Sequence, residues 1–242
     1  MTGSAINLRK IEETAPALVS LYKSAGTALR AHGLEGGRAS VYLVLDYSGS
    51  MRPYYEDGSV QALADRVLGL CAHLDEDARV PVVFFSTEVD AVEEISLAGH
   101  EGRVTAIAAG LGHMGKTSYD AAMDAVIDHY LDSGSASPAL VVFQTDGGPI
   151  NKLAAERYLC KAARLPLFWQ FVGFGNTRSS QFDFLRRLDE LPVPQARVVD
   201  NAGYFHAGAD PRKVADSELY DRLVWEFPHW LAAARAAGIV RA

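Results

Sequence analysis

The sequence predicts an α/β fold, a doubly wound and mostly parallel sheet flanked by helices, and two patterns carry that expectation. Residues 41–45, 80–85, 140–143 and 167–172 are apolar or β-branched at almost every successive position, as in strands buried on both faces. Between them apolar residues recur at helical spacing, for example Val60, Leu63, Ala64, Val67, Leu68, Cys71 and Leu74. Strand and helix alternate along the chain, which winds a sheet with helices on both sides.

Taken in order, Ile11, Ala15, Leu18, Leu21, Tyr22, Ala25 and Leu29 predict a leading helix, and Gly33, Gly36 and Gly37 break the chain before the first strand. Residues 1–37 are therefore expected to form a helical extension packed on a domain spanning 38–242. Residues 92–97 read as an edge strand antiparallel to 80–85, and residues 119–131 and 153–163 as helices. Residues 196–199 read as a last strand. The closing stretch 217–237 reads as a helix kinked or divided by Pro228. Trp169, Trp225 and Trp230 are expected in core or helix packing. No repeat, low-complexity segment or linker divides the chain.

Composition narrows the function. Half of the residues are apolar (49%) and the net charge is −7, with no basic stripe of the kind nucleic acid requires. Cys71 and Cys160 both fall inside helical patterns and read as small helix residues in a reducing compartment. The N-terminus lacks a signal-peptide pattern and no apolar stretch reaches membrane-spanning length, so a cytoplasmic protein is expected. The histidines are scattered without zinc spacing. Gly-x-Ser-x-Gly is absent around Ser48. No catalytic constellation is legible, and nothing in the sequence sets the oligomeric state.

The chemistry concentrates after the first strand. Asp46-Tyr47-Ser48-Gly49-Ser50 offers a carboxylate and two hydroxyls at alternating positions, hard oxygen donors suited to Mg²⁺, Mn²⁺ or Ca²⁺. Asp146 follows the run 140–143 after Gln144 and Thr145, and Thr117 precedes the helix leading into that strand. Ligands of an open α/β sheet gather at the carboxyl ends of strands where the strand order reverses. If the first strand and 140–143 are neighbours there, Asp46, Ser48, Ser50, Thr117 and Asp146 share one crevice. Two carboxylates roughly neutralise a divalent ion, which stays electrophilic toward an incoming carboxylate. Arg52 and His113 are expected on the rim of this crevice.

One pattern competes. Gly110-Leu111-Gly112-His113-Met114-Gly115-Lys116-Thr117 satisfies the phosphate-loop signature, which would put Lys116 on nucleotide phosphates and Thr117 on Mg²⁺. Such a loop needs a strand directly before it, whereas Val104, Ile107, Ala108 and Leu111 keep helical spacing. It also leaves Asp46, Ser48 and Ser50 unused.

The five donors resemble the metal-ion-dependent adhesion site of von Willebrand factor A domains, built from Asp-x-Ser-x-Ser, a Thr in a later loop and an Asp after the fourth strand. The resemblance implies that the hydroxyls hold the ion directly and the Asp residues act largely through waters. Residues 6–10, 15–23, 165–173, 198–202 and 219–223 resemble, more narrowly, the TerF-type A domains of bacterial tellurite-resistance and stress-response systems, here without room for a TerD-type domain. That likeness implies a metal-dependent interaction module, Mg²⁺ foremost, holding another protein through its Asp or Glu, and neither nucleic acid nor a membrane. Lys116 departs from the small residue expected before the Thr. It places an ammonium near the ion, where it would meet the partner or carry its charge into water.

Overall fold

The computed structural model describes residues 3–176 and 179–241. Helix α1 (Leu8–Thr14) and a 3₁₀ turn (Pro16–Leu18) lead into α2 (Val19–Ala31). Strand β1 (Ser40–Asp46) is followed by a 3₁₀ turn (Gly49–Met51), α3 (Arg52–Glu56) and α4 (Ser59–Leu74). Next come β2 (Arg79–Phe85), β3 (Val89–Ser96), α5 (Arg103–Gly110), α6 (Tyr119–Asp132), β4 (Ala139–Thr145), α7 (Lys152–Ala162) and β5 (Leu167–Phe174). A 3₁₀ turn (Ser180–Phe182), α8 (Asp183–Asp189), β6 (Ala202–Gly208), a further 3₁₀ turn (Pro211–Lys213), α9 (Asp216–Val224) and α10 (Phe227–Ala236) complete the chain.

The sheet order is β3-β2-β1-β4-β5-β6, with β3 antiparallel and every other pairing parallel. This is the expected doubly wound sheet with its antiparallel edge. Strands β4 and β5 are buried throughout and β1 is buried in all but its first residue, which is why they read as continuous apolar runs. Alternate residues feed two cores. Val41, Leu43 and Leu45 join α2, α4 and α9, while Tyr42 and Val44 join α6 and α7. Because β1 pairs with β2 on one side and β4 on the other, the strand order reverses between β1 and β4.

Three expectations need correction. The leading helix is broken at Ala15, whose φ and ψ are −143° and 62°. Pro16 disfavours the helical region for its predecessor and instead starts the 3₁₀ turn. The last strand is Ala202–Gly208, paired with β5, and residues 196–199 lie in turns. Its small residues concealed it, yet Gly203 suits the position, since a Cβ would stand 2.8 Å from Glu226 Oε1 and 2.9 Å from Gln170 Oε1, side-chain ends that would have to shift. The closing stretch is divided as expected, into α9 and α10, with Pro228 in the first turn of the second. Trp169 and Trp230 are buried as expected, but Trp225 is 58% exposed with an edge contact to His32.

The N-terminal helices are tied down by main-chain bonds, Ala5 N donating to His73 O at 3.0 Å and Ile6 N to Ala72 O at 2.8 Å. His73 of α4 stacks on Tyr22 of α2 with ring centroids 3.9 Å apart.

Candidate functional site

The last residue of β1 is Asp46, and it is fully buried. Ser48 N donates to its Oδ1 at 2.8 Å and Thr145 Oγ1 donates to its Oδ2 at 2.7 Å. The Tyr55 hydroxyl holds its main-chain carbonyl at 3.1 Å. Burial pushes the Asp46 carboxyl up to about 7, with the Asp146 charge adding and the Thr145 and Ser48 hydrogen bonds opposing. Asp146, directly after β4, is also raised, first by burial, with the Ser50 hydroxyl opposing.

The two carboxylates are joined through the serines. Ser48 Oγ lies 3.2 Å from Ser50 Oγ, and Ser50 Oγ donates to Asp146 Oδ1 at 2.9 Å. Adjacent ligands of an octahedral Mg²⁺ with ~2.1 Å bonds stand about 3 Å apart, so this row of oxygens has the spacing of ligands around one hard cation. Among the described residues no cationic side chain is among the causes shifting either carboxyl. Nor, among the described residues, does any group of three or more His, Cys, Asp or Glu side chains gather to hold a metal. A cation here would depend on hydroxyls as well as carboxylates.

The Thr117 loop is drawn to this crest by its main chain. Ser48 and Gly115 form a parallel bridge, and Gly49 N donates to Gly115 O at 3.0 Å. Lys116 N donates to Thr87 Oγ1 at 3.0 Å, Ser118 N to Ser86 O at 2.8 Å, and Ile150 N to Thr117 O at 2.9 Å. Thr117 is half-buried, and its contact in this network is the main-chain carbonyl that Ile150 N bonds. Gly115 must be glycine for this approach, because a Cβ would stand 2.5 Å from Thr87 Oγ1 and 2.9 Å from Ser86 Oγ. The small residue expected directly before Thr117 is thus found one position earlier. Arg52, His113 and Lys116 are all exposed, and Arg52 opens α3, whose Pro53 suits the first turn.

The phosphate-loop pattern has the wrong context. Gly110 ends helix α5, so a helix and not a strand leads into the loop.

Several residues in this network were not legible as site residues. Thr145 holds Asp46, and the Tyr119 hydroxyl, 3.2 Å from Thr145 Oγ1, donates to the Gly147 carbonyl. Gln144, fully buried beneath the site, reaches the Met51 sulfur at 3.2 Å and leaves its Oε1 unpartnered. The signal available in the sequence was Thr145 itself, a hydroxyl at the carboxyl end of a strand.

Comparison with known proteins gives the same architecture. The chain is 35% identical over 223 residues to the uncharacterized protein YcbR of Bacillus subtilis (strain 168), covering 90% of this chain and 88% of that one. Among solved structures it resembles manganese-loaded TRAP of Plasmodium vivax at 20% identity with a TM-score of 0.51, over 77% of this chain and 72% of that one. It also resembles proximal thread matrix protein 1 of the mussel byssus at 14% identity and a TM-score of 0.52, over 78% of this chain and 47% of that one. Those two likenesses establish the fold alone. Residues 38–240 match the vWA found at the TerF C terminus. With that match over most of its length, the chain belongs to the vWA-TerF-like family, whose members are typically non-catalytic adaptor or adhesion modules.

Proposed function

We propose that this protein is a metal-ion-dependent protein-interaction module of a bacterial tellurite-resistance or stress-response system, acting inside the cell. The observation that carries the reading is the row of oxygens Ser48 Oγ, Ser50 Oγ and Asp146 Oδ1, at 2.9–3.2 Å spacing, beside the buried Asp46 carboxylate that Ser48 N bonds, with no cationic side chain among the described residues shifting either carboxyl. Ser48, Ser50 and Thr117 would hold the ion directly, and Asp46 and Asp146 would supply its countercharge, largely through waters. Mg²⁺ suits the all-oxygen set first, with Mn²⁺ or Ca²⁺ as substitutes. The bound ion supplies an electrophilic position for an Asp or Glu of the partner. Neutral hydroxyls in the direct positions leave that electrophilicity intact. Arg52, His113 and Lys116 are exposed and would meet the partner at the rim. Residues 1–37 serve as a packed extension of the domain at 38–242.

Calorimetric titration of metal-stripped protein with Mg²⁺ and Mn²⁺, then with ATP, tests this reading against the nucleotide-binding one. The expected outcome is metal binding in the wild type, its loss in Asp46→Ala, and no heat from ATP. ATP binding that survives Asp46→Ala would transfer the function to the loop from Gly110 to Thr117.

A further inference from the structure

Resting on the reading above, we infer that the partner presents its carboxylate within an apolar segment that crosses the crest of the sheet and docks on both sides of the metal site. The crest separates two exposed apolar features that belong to opposite faces of the sheet. On the α5 side lies a groove of about 240 Å³ lined by Tyr47, Tyr55, Ala108, Ala109 and Met114, with Arg52, Glu56 and Thr105 at its borders. Its floor is rigid. The Tyr47 hydroxyl donates to Ala108 O at 3.1 Å, and the Tyr47 and Tyr55 rings meet edge to face at 5.3 Å.

On the α7 side Ile150 and Leu153 are 57% and 58% exposed. Ile150 lies just before the Asn151 cap of α7 and Leu153 in its first turn, and Ile150 is bonded through its main chain to Thr117. Large aliphatic side chains at such exposure, beside a site, mark an interaction surface more often than isolated ones do.

The three elements lie in sequence across the crest. The groove joins the site through Met114 and the Gly115 bridge to Ser48, and the site joins the second patch through Thr117 and Ile150. An occupant must therefore be apolar, then acidic, then apolar. Charge selects the acidic centre as well. In a chain of net charge −7, Arg52, Lys116 and Lys152 are exposed around this crest, and their field favours an anionic centre. An extended segment of about nine residues spans roughly 30 Å, which sets the length of the peptides used below. The metal fixes the position of such a segment, and the two patches give it direction and selectivity.

The test uses ¹⁵N-labelled full-length protein and acetylated, amidated nine-residue peptides with a central Asp flanked by Leu on both sides, or by Ser. Amide shifts are followed in saturating Mg²⁺. The Leu-flanked peptide is expected to bind at least tenfold more tightly than the Ser-flanked one and to shift the amides of residues 108–109 and 150–153 together. Ala109→Glu and Ile150→Ser, both at exposed positions, are each expected to weaken it about five- to tenfold while leaving Mg²⁺ affinity unchanged. Equal binding of the two peptides, or shifts at one patch only, would overturn the two-sided docking and leave the metal–carboxylate reading standing. Binding of the Leu-flanked peptide that persists with Asn at its centre and in chelator would overturn both. Mg²⁺ binding with no response to the Leu-flanked peptide would overturn the docking alone.

Discussion

Arg197 and Asp46 are both buried charges, at opposite ends of the sheet, and the chain treats them in opposite ways. Arg197, 2% exposed near the amino end of β6, is saturated. Its guanidinium donates to Leu191 O at 3.0 Å and to Asp189 O, and pairs with the Asp200 carboxylate at 2.8 Å. Asn201, whose Oδ1 also faces Arg197, extends the network to Leu159 O at 3.1 Å. Asp46, fully buried at the carboxyl end of β1, receives neutral donors from Ser48 and Thr145 and has a second carboxylate for a neighbour. One network closes on itself and is structure. The other ends in negative charge with no counterion among the described residues, and burial of such charge is unfavourable unless something completes it.

The difference is open to direct attack. Arg197→Leu should cost about 3–5 kcal/mol in urea unfolding, because it strands buried carbonyls and an ion-pair partner. A loss below about 1 kcal/mol would end the contrast. Asp46→Asn should behave oppositely in metal-free protein. The Asp46 carboxyl is raised from 3.8 to about 7 by folding, so the native state holds a proton that the unfolded state releases between those values. Its contribution to stability is complete below about pH 4, falls as pH rises and is gone above about pH 7. The fall amounts to a few kcal/mol by linkage. Urea titrations from pH 4 to 8 should therefore show a smaller decline in Asp46→Asn than in wild type. With saturating Mg²⁺ the wild type should gain stability at pH 8, by about 2.7 kcal/mol at a hundredfold excess over Kd, and the variant should gain none. Parallel pH profiles for the two proteins would mean that Asp46 carries no unmet charge.

The same contrast explains what the sequence made legible. Strands buried on both faces announce themselves as apolar runs, and Asp46, Ser48, Ser50 and Asp146 follow two of those runs directly, so their convergence needed only the adjacency of β1 and β4. Thr145 escaped because its role depends on register. Leu45 stands opposite Gln144, which sets the Thr145 hydroxyl beside Asp46, and no local pattern encodes that pairing. Strand β6 escaped because Ala202, Gly203, Ala207 and Gly208 look like a loop, although Gly203 is small to admit Glu226 and Gln170. Pro16 was visible in the sequence, but the helical periodicity running through it outweighed it. Arg197 gave no warning of burial, since its carbonyl partners are supplied by turns that form only with the tertiary structure. Donors next to the apolar runs were readable, and those set by strand register or by turns formed in the tertiary structure were not.

Thr145→Val sharpens the comparison at the smallest scale. The substitution keeps the shape of the side chain and removes the donor to Asp46 Oδ2 together with the acceptor for Gly147 N at 3.3 Å. In metal-free protein at pH 8 the carboxylate loses one of its two direct donors, which should cost about 1–2 kcal/mol. At pH 5 the carboxyl is protonated in the native state and a neutral group needs that donor less, so the cost should shrink. A structural hydroxyl serving only the turn at Gly147 would cost the same at both pH values. Mg²⁺ affinity should fall about tenfold, the scale on which a group orienting a ligand acts, because Asp46 would no longer be held toward the serines. If the cost does not change with pH and Mg²⁺ binds as before, Thr145 belongs with Arg197 among the closed structural networks, and the open site begins at Ser48.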